Sequence, residues 1–253
     1  MVKASFKDKV VIITGATGGI GKELVKLLAK QECRLAIFAR RENKLKKISE
    51  ELIKNGTQCI FSRCDVANKE EVKKSVEFVY KTYGHIDLAI LTAGVLTSNP
   101  LNDFNSDIIK KTMEINYYGS IYFIEFLLPI LKSQKKGIIA AVSTLTDKRG
   151  HPNWSSYQAS KAALTITLEC LRIEAKKHNI QLITIKPGSV KTPMVNNEIP
   201  PGGIEASKAA AIILKGIKNG KKRIEFPLIQ SITTKIVDLL PGDIYDIVMS
   251  DEK

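Results

Sequence analysis

The sequence predicts an α/β fold in which a parallel sheet is wound on both faces by helices. Three observations carry this expectation. Short, continuously apolar runs such as Val10-Val11-Ile12-Ile13-Thr14 recur along the chain, as strands buried on both faces require. Between them lie segments with apolar residues at helical spacing, for example Ile20, Leu24, Leu27 and Leu28. The two patterns alternate along most of the chain, which demands crossover connections and therefore parallel strands.

In order, Val10–Thr14 reads as the first strand. Gly15-Ala16-Thr17-Gly18-Gly19-Ile20-Gly21 follows at once, and a helix begins inside that loop. Strand, glycine turn and helix together suit a phosphate: glycines let the backbone approach closely, and a helix N-terminus offers free N–H groups. Arg34 to Ala39 reads as the second strand. Just past it stand Arg40 and Arg41, with no carboxylate to hold a ribose 2′-OH. A guanidinium accommodates a 2′-phosphate, so NADP(H) is expected ahead of NAD(H), with Arg40 favoured over Arg41 by position. The plain alternative is that both arginines begin the solvated helix around Leu45, Ile48 and Leu52.

Gln58 to Ser62 reads as the third strand, with Asp65-Val66 just after it. Asp65 is placed to accept from an adenine amino group or to cap the helix starting near Asn68. His85 to Leu91 leads into the fourth strand, ending at Thr92-Ala93-Gly94. A long helical stretch from about Asp107 to Lys132 contains Asn116, which mid-helix marks a kink or a polar contact. Gly137 to Val142 reads as the fifth strand, with the Ser143 hydroxyl at its end. A helix from Ser156 to about His178 and a strand Gln181–Ile185 lead to Pro187-Gly188-Ser189-Val190-Lys191-Thr192-Pro193. About seven strands result, a Rossmann-type sheet in one domain spanning 1–253. Residues 193–253 are read as a substrate loop and C-terminal extension, with a proline- and glycine-rich loop to Gly203, a helix from about Ile204 to Lys218 and a last strand at Arg223–Phe226. In the tail, Ile229, Ile232, Ile236 and Leu240 form one stripe. Packing on the body or on a subunit partner is expected for it, ahead of membrane-surface binding.

The 253 residues suit a domain of this class, and 39 basic against 26 acidic residues leave a net charge of +13. That charge favours anionic ligands. The lysines are spread over many helices without interleaved aromatics, so nucleic acid is not an expected partner. Cys33, Cys59, Cys64 and Cys170 form no CxxC pair and meet no histidine at zinc spacing. Reduced thiols in a cytoplasmic protein without a metal are expected. The N-terminus carries no signal-peptide pattern, and the apolar stretch Ile121–Leu131 is broken by Glu125 and Pro129.

The most informative stretch is Tyr157-Gln158-Ala159-Ser160-Lys161 at the start of a helix. Residues i and i+4 share one face, so phenol and ammonium approach one point. A nearby ammonium is expected to bring the phenol down from its ordinary value of about 10. Such a pair can exchange a proton with an alcohol or carbonyl oxygen.

Thr14-Gly15-x-x-x-Gly19-Ile20-Gly21, Asp65, Ala93-Gly94, Asn116, Ser143, Tyr157-x-x-x-Lys161 and Pro187-Gly188-x-Val190-x-Thr192 occur in this order. In this the chain resembles the short-chain dehydrogenase/reductases over roughly residues 6 to 195. The resemblance implies Tyr157 as acid-base, Lys161 as the group that lowers its pKa and holds the nicotinamide ribose, and Ser143 as a hydrogen-bond partner of the reacting oxygen. It implies that Asn116 holds a water in a proton relay. It implies cofactor contacts from Gly15, Thr17, Gly18, Gly19, Ile20, Asp65, Val66, Ala93, Gly94, Val190 and Thr192. A homodimer or homotetramer is implied as well. The strand-four motif departs from the family's Asn-Asn-Ala-Gly, reading Leu91-Thr92-Ala93-Gly94.

The expected function is NADP(H)-dependent interconversion of a small-molecule carbonyl and alcohol. The alternatives are a catalytically silent NADP(H)-binding or scaffold protein and, behind it, a Ser143 hydrolase. The hydrolase reading lacks a G-x-S-x-G elbow. The substrate is not readable from the loops Val95–Phe104, Thr144–Trp154 and Pro193–Gly203.

Overall fold

In the computed structural model, which describes residues 5–195 and 201–250, the apolar runs become strands and the periodic segments become helices. The chain passes through β1 (Val10–Thr14), α1 (Gly19–Ala29), β2 (Arg34–Ala39), α2 (Glu42–Lys54), β3 (Cys59–Arg63), α3 (Lys69–Tyr83) and β4 (Leu88–Leu91). It continues through α4 (Ser106–Met113), a π-helical turn (Glu114–Tyr118), α5 (Gly119–Gln134), β5 (Gly137–Val142), α6 (Ser155–Ala175) and β6 (Ile180–Pro187). Last come β7 (Val190–Lys191), β8 (Ile204–Glu205), α7 (Ala206–Lys218), β9 (Arg223–Phe226), α8 (Leu228–Asp238) and α9 (Gly242–Ser250).

Seven of the strands form one parallel sheet in the order β3-β2-β1-β4-β5-β6-β9, a Rossmann-type doubly wound architecture. Successive side chains on a strand point to opposite faces, so one strand feeds two cores. Val11 and Ile13 pack with Leu24, Leu28, Leu45 and Ile213 beneath α1, α2 and α7. Val10 and Ile12 pack with Val76, Phe123, Leu127 and Leu164 beneath α3, α5 and α6. The strand order reverses between β1 and β4. Crossovers leave this point in opposite directions, which opens a crevice at the carboxyl ends of the two strands.

Several element boundaries differ from expectation for local reasons. The stretch read as one helix over 107–132 holds a π turn at Glu114–Tyr118, with Asn116 inside it, a device that appears frequently at functional sites. The helix expected from Ile204 starts at Ala206, because Ile204 and Glu205 pair with Val190 and Lys191 as a short parallel ladder. The loop expected over 193–203 begins with a 3₁₀ turn at Pro193–Val195. Its middle, 196–200, lies outside the described residues. The helix after β3 is capped by Asn68, whose Oδ1 accepts from the amides of Glu70 and Glu71 at 3.0 and 3.1 Å. Asp65 accepts instead from the Ala67 amide at 3.2 Å.

The tail stripe differs most. α8 presents Ser231 and Gln230 to the body, with Ser231 bonded to Glu225. Ile229, Ile232 and Ile236 are exposed, at 77%, 50% and 60%. Packing of that stripe on the body is therefore overturned, and its polar side is the one that docks. Arg149 holds the end of the helix, donating to the carbonyls of Asp238 and Leu240 and lying 5.0 Å from the centre of the Tyr245 ring. Among the described residues no helix is long and apolar enough to cross a membrane.

Replacing Asn68 by Ala removes the cap of α3 and should cost about 1 kcal/mol. The check is urea unfolding, and an unchanged midpoint would contradict the capping role.

Candidate active site

The crevice at the reversal point is built by backbone first. Gly15 sits at φ +66°, and a side chain there would strike Thr92 and the Ala93 backbone. A Cβ on Gly21 would lie 2.4 Å from the Gly15 carbonyl oxygen. The loop can thus turn tightly only with glycine at these positions. Across the crevice, the Thr14 hydroxyl accepts from the amides of Thr92 and Ala93 at 3.1 and 3.2 Å, and Thr92 donates back to the Thr14 carbonyl. Thr92 thereby ties the ends of β1 and β4 together despite the departure in the strand-four motif.

A cavity of about 810 Å³ runs from this loop across the sheet ends. Gly15, Gly18, Gly19 and Ile20 line one end, with Ala93, Gly94, Val190 and Thr192 beside them. Tyr157 and Lys161 line the other end, close to Thr144, Leu145, Trp154 and Met194. A smaller adjoining space of about 140 Å³ is bordered by Thr17, Arg40, Arg41, Asp65 and Val66. The structure therefore gathers the expected cofactor residues around two connected hollows. A glycine cradle, a run of small residues and a basic rim fit an extended anionic dinucleotide.

The two arginines sit differently at the rim. Arg41 reaches back to the glycine loop, where its Nε and Nη2 donate to the Thr17 hydroxyl at 3.1 and 3.0 Å. Arg40 stays exposed at the rim. Both border the smaller space, and Arg41 is the one the fold holds in place.

Ser143 is corrected. It is fully buried, and its hydroxyl lies 2.7 Å from the Thr165 hydroxyl, 3.2 Å from an Asp147 oxygen and 3.1 Å from the Lys161 carbonyl. The backbone explains why. Ser143 and Leu145 continue the ladder to β6 through bonds to Ile185 and Pro187. Strand alternation then points Ser143 inward and Thr144 into the cavity. Thr144 is the hydroxyl beside the Tyr157 phenol. Both residues border the cavity, but the Ser143 hydroxyl is taken by buried partners, and two adjacent hydroxyl residues at a strand end were the sequence signal that their side chains would part.

Asn116 is wholly buried. Its Oδ1 accepts from the Val95 amide at 2.8 Å, and its Nδ2 donates to the Val95 carbonyl at 2.9 Å and the Ser160 hydroxyl at 3.0 Å. Both amide hydrogens are spent on protein, so the side chain pins the β4 exit to α6. The cavity wall missed by sequence reading includes Gln230, Thr233 and Thr234 of α8. Gln230 accepts from the Ser189 amide at 2.8 Å.

The electrostatics reverse the expectation for the tyrosine. Burial pushes the Tyr157 phenol up to about 12, a Thr144 hydrogen bond opposes this, and the Asp147 carboxylate adds to the rise. Lys161 does not bring the phenol down. Its Nζ donates to the Val142 carbonyl at 2.8 Å and lies 5.9 Å from the centre of the Tyr157 ring. Burial takes Lys161 from its ordinary 10.5 to about 8, so the ammonium is itself easily lost. Cys33, Cys59 and Cys64 are buried and free, with thiols pushed up by burial, whereas Cys170 is exposed. Among the described residues no cluster of His, Cys, Asp or Glu is arranged to hold a metal ion.

Residues 9–201 match the family model described as short chain dehydrogenase. An uncharacterized oxidoreductase of Listeria monocytogenes is 36% identical over 193 residues, covering 76% of this chain and 78% of that protein. Dehydrogenase/reductase SDR family member 7B of Mus musculus is 29% identical over 98% of this chain and 82% of its own length. Among solved structures, an alcohol dehydrogenase of Thermococcus sibiricus complexed with 5-hydroxy-NADP superposes with a TM-score of 0.79 at 23% identity, covering 86% of this chain and 95% of that one. A short chain dehydrogenase/reductase of Burkholderia phymatum in complex with NAD gives 0.85 at 20% identity, covering 92% and 93%. At these identities the structural likeness concerns the fold.

The Lys161 shift has a signed consequence. Between pH 8 and 10.5 the folded chain has released the proton that the unfolded chain retains, so folding stability from this group rises with pH. The stability gap between the wild type and Lys161→Met should therefore move in favour of the wild type by roughly 2 kcal/mol from pH 7 to 10. Urea unfolding across that range measures it, and a gap independent of pH would contradict the buried, easily deprotonated lysine.

Proposed function

Because the chain belongs to the short chain dehydrogenase family, a family of oxidoreductases, we propose that it interconverts a carbonyl and an alcohol with NADP(H), using Tyr157 as acid-base. The observation that carries this reading is one cavity with the glycine cradle at one end and Tyr157, Thr144 and Lys161 at the other. A nicotinamide cofactor held along the cradle would supply the hydride, while Tyr157 and Thr144 would meet the substrate oxygen.

The residues of this chain divide the work. Gly15, Gly18, Gly19 and Ile20 would hold a pyrophosphate against the N-terminus of α1. Asp65 and Val66 would flank the adenine side, while Arg40 and Arg41 would meet a 2′-phosphate. Ala93, Gly94, Val190 and Thr192 would bed the flat part of the cofactor, which would supply the hydride. Thr144 donates a hydrogen bond to the substrate oxygen, the place first expected of Ser143. Tyr157 gives that oxygen its proton. A phenol at about 12 is protonated at neutral pH, the state needed by a donor. Lys161, at about 8, is placed to restore the proton. Asn116 serves by holding Val95 and α6 in register.

The substrate end of the cavity is walled by Leu96, Leu145, Trp154, Met194 and Val195, and among the described residues no carboxylate lines it. Such a wall suits a small neutral molecule with an apolar body. The reading also includes a cytoplasmic homo-oligomer. Exposed Ile166 and Ile173 on α6 and the exposed isoleucines of α8 are the surfaces available for a second copy.

Fluorescence titration should find NADPH bound at least about tenfold more tightly than NADH, through charge-assisted bonds to the phosphate. Arg40→Glu and Arg41→Ala should each erode that preference. Equal or tighter binding of NADH would overturn the NADP(H) assignment.

In steady-state assays with NADPH and a panel of neutral carbonyls, Tyr157→Phe should lose about 10²–10⁴ in kcat with cofactor affinity retained. Thr144→Ala should cost more than Ser143→Ala. The reverse order would return the oxygen-binding role to Ser143. Cofactor binding without turnover across the panel would favour the silent reading.

A further inference from the structure

Behind the reacting hydroxyls lies a buried charge pair that no step above uses. Lys186, near the end of β6, donates to Asp147 Oδ1 at 2.8 Å, and the two side chains are 7% and 0% exposed. The other carboxylate oxygen accepts from Thr165 of α6 and lies within reach of Ser143. Each hydroxyl has one proton, so Thr165 donates to Asp147, while Ser143 has a single proton for Thr165, the Lys161 carbonyl or the carboxylate. The carboxylate thus fastens the turn after β5 to both β6 and α6.

A charge pair is costly to bury and is worth no more to stability than well-packed apolar residues of the same volume. Its placement is more specific than stability requires. Thr144 is next to Ser143 in sequence and only three residues from Asp147. The network therefore holds the chain on both sides of Thr144, at Ser143 and at Asp147. Asp147 also acts on Tyr157 through space, opposing ionisation of the phenol.

We infer that Asp147 and Lys186 are positioning residues, a neutralised buried pair that orients Thr144 and sets how readily Tyr157 parts with its proton. The inference rests on the reading of Tyr157 as the acid-base. Among the described residues of the cavity wall, two other titratable side chains lie near that phenol. Lys161 approaches it from its own helix and His151 lines the cavity from the same loop as Asp147. The glycine loop, the β4 exit and α8 contribute uncharged residues to the cavity wall. Removing one member of the pair therefore changes the field at the phenol in a known direction. Asp147→Asn keeps the shape, deletes the negative charge and leaves the Lys186 cation, so Tyr157 ionises more easily. Lys186→Gln leaves the carboxylate uncompensated, so Tyr157 ionises less easily.

The experiment is the pH profile of kcat/KM with NADPH for wild type, Asp147→Asn, Lys186→Gln and the double variant. The Tyr157-governed limb should move about one unit towards acid in Asp147→Asn and towards alkali in Lys186→Gln. It should return near the wild-type position in the double variant. A structural role alone would lower kcat in all three and leave the limb in place, and that result overturns the inference. If Asp147→Asn does not fold, the alkaline shift in Lys186→Gln decides alone. Carbon-13 NMR of labelled tyrosine, with Tyr157→Phe to assign the signal, follows the phenol without turnover. An acid-ward shift of that signal in Asp147→Asn with no turnover in any form would sink the oxidoreductase reading and keep the electrostatic coupling. Turnover with an unmoved signal and limb would do the opposite.

Discussion

The molecule depends on holding apart two strand ends that would otherwise be closed over. β1 and β4 are neighbours in the sheet, and their following segments leave in opposite directions. The two threonines, Thr14 and Thr92, exchange bonds across that junction. Those bonds satisfy the backbone where the ladder stops, and the glycine loop folds against them with no space for side chains. Everything the cavity offers is placed relative to this junction. Gly94 continues from Thr92, Asn116 grips the following Val95, and Ser160 of α6 shares the same amide. A disturbance at the junction would therefore be felt at Tyr157 through two side chains.

Much of this plan was legible in the residues. Apolar runs marked the strands because parallel strands are buried on both faces, and the glycine loop was recognisable from its position between strand and helix. Tyr157 and Lys161 were legible because helical spacing decides what shares a face. Ser143 was misread because strand direction decides which of two adjacent hydroxyls faces a crevice, and that depends on where the ladder to β6 ends. Arg41 was ranked below Arg40 because linear position says nothing about a long side chain folding back to Thr17. The stripe on α8 was visible as a period, yet a period does not tell which side turns inward. Here the polar side does, since Gln230 and Ser231 have backbone and carboxylate partners waiting. Asp147 and Lys186 stand 39 residues apart, and no motif joins them.

The pH behaviour of the site follows from competing effects of similar size. Burial opposes charge on both Tyr157 and Lys161, raising one and lowering the other. Their values are drawn towards the neutral forms, so the pair stays uncharged over a wider range of pH than two surface residues would. The hydroxyl of Thr144 favours the phenolate while the carboxylate of Asp147 disfavours it. The tyrosine is thus set by burial together with groups from a strand end and a loop, and no single neighbour determines its state.

One wall of the cavity belongs to α8, through Gln230, Thr233 and Thr234. The family match ends at residue 201, well before that helix begins. The glycine loop and the helix carrying Tyr157 thus lie inside the matched stretch and α8 outside it, so a single hollow is walled by both parts of the chain. A substitution in α8 can reshape that flank without touching a residue of the glycine loop.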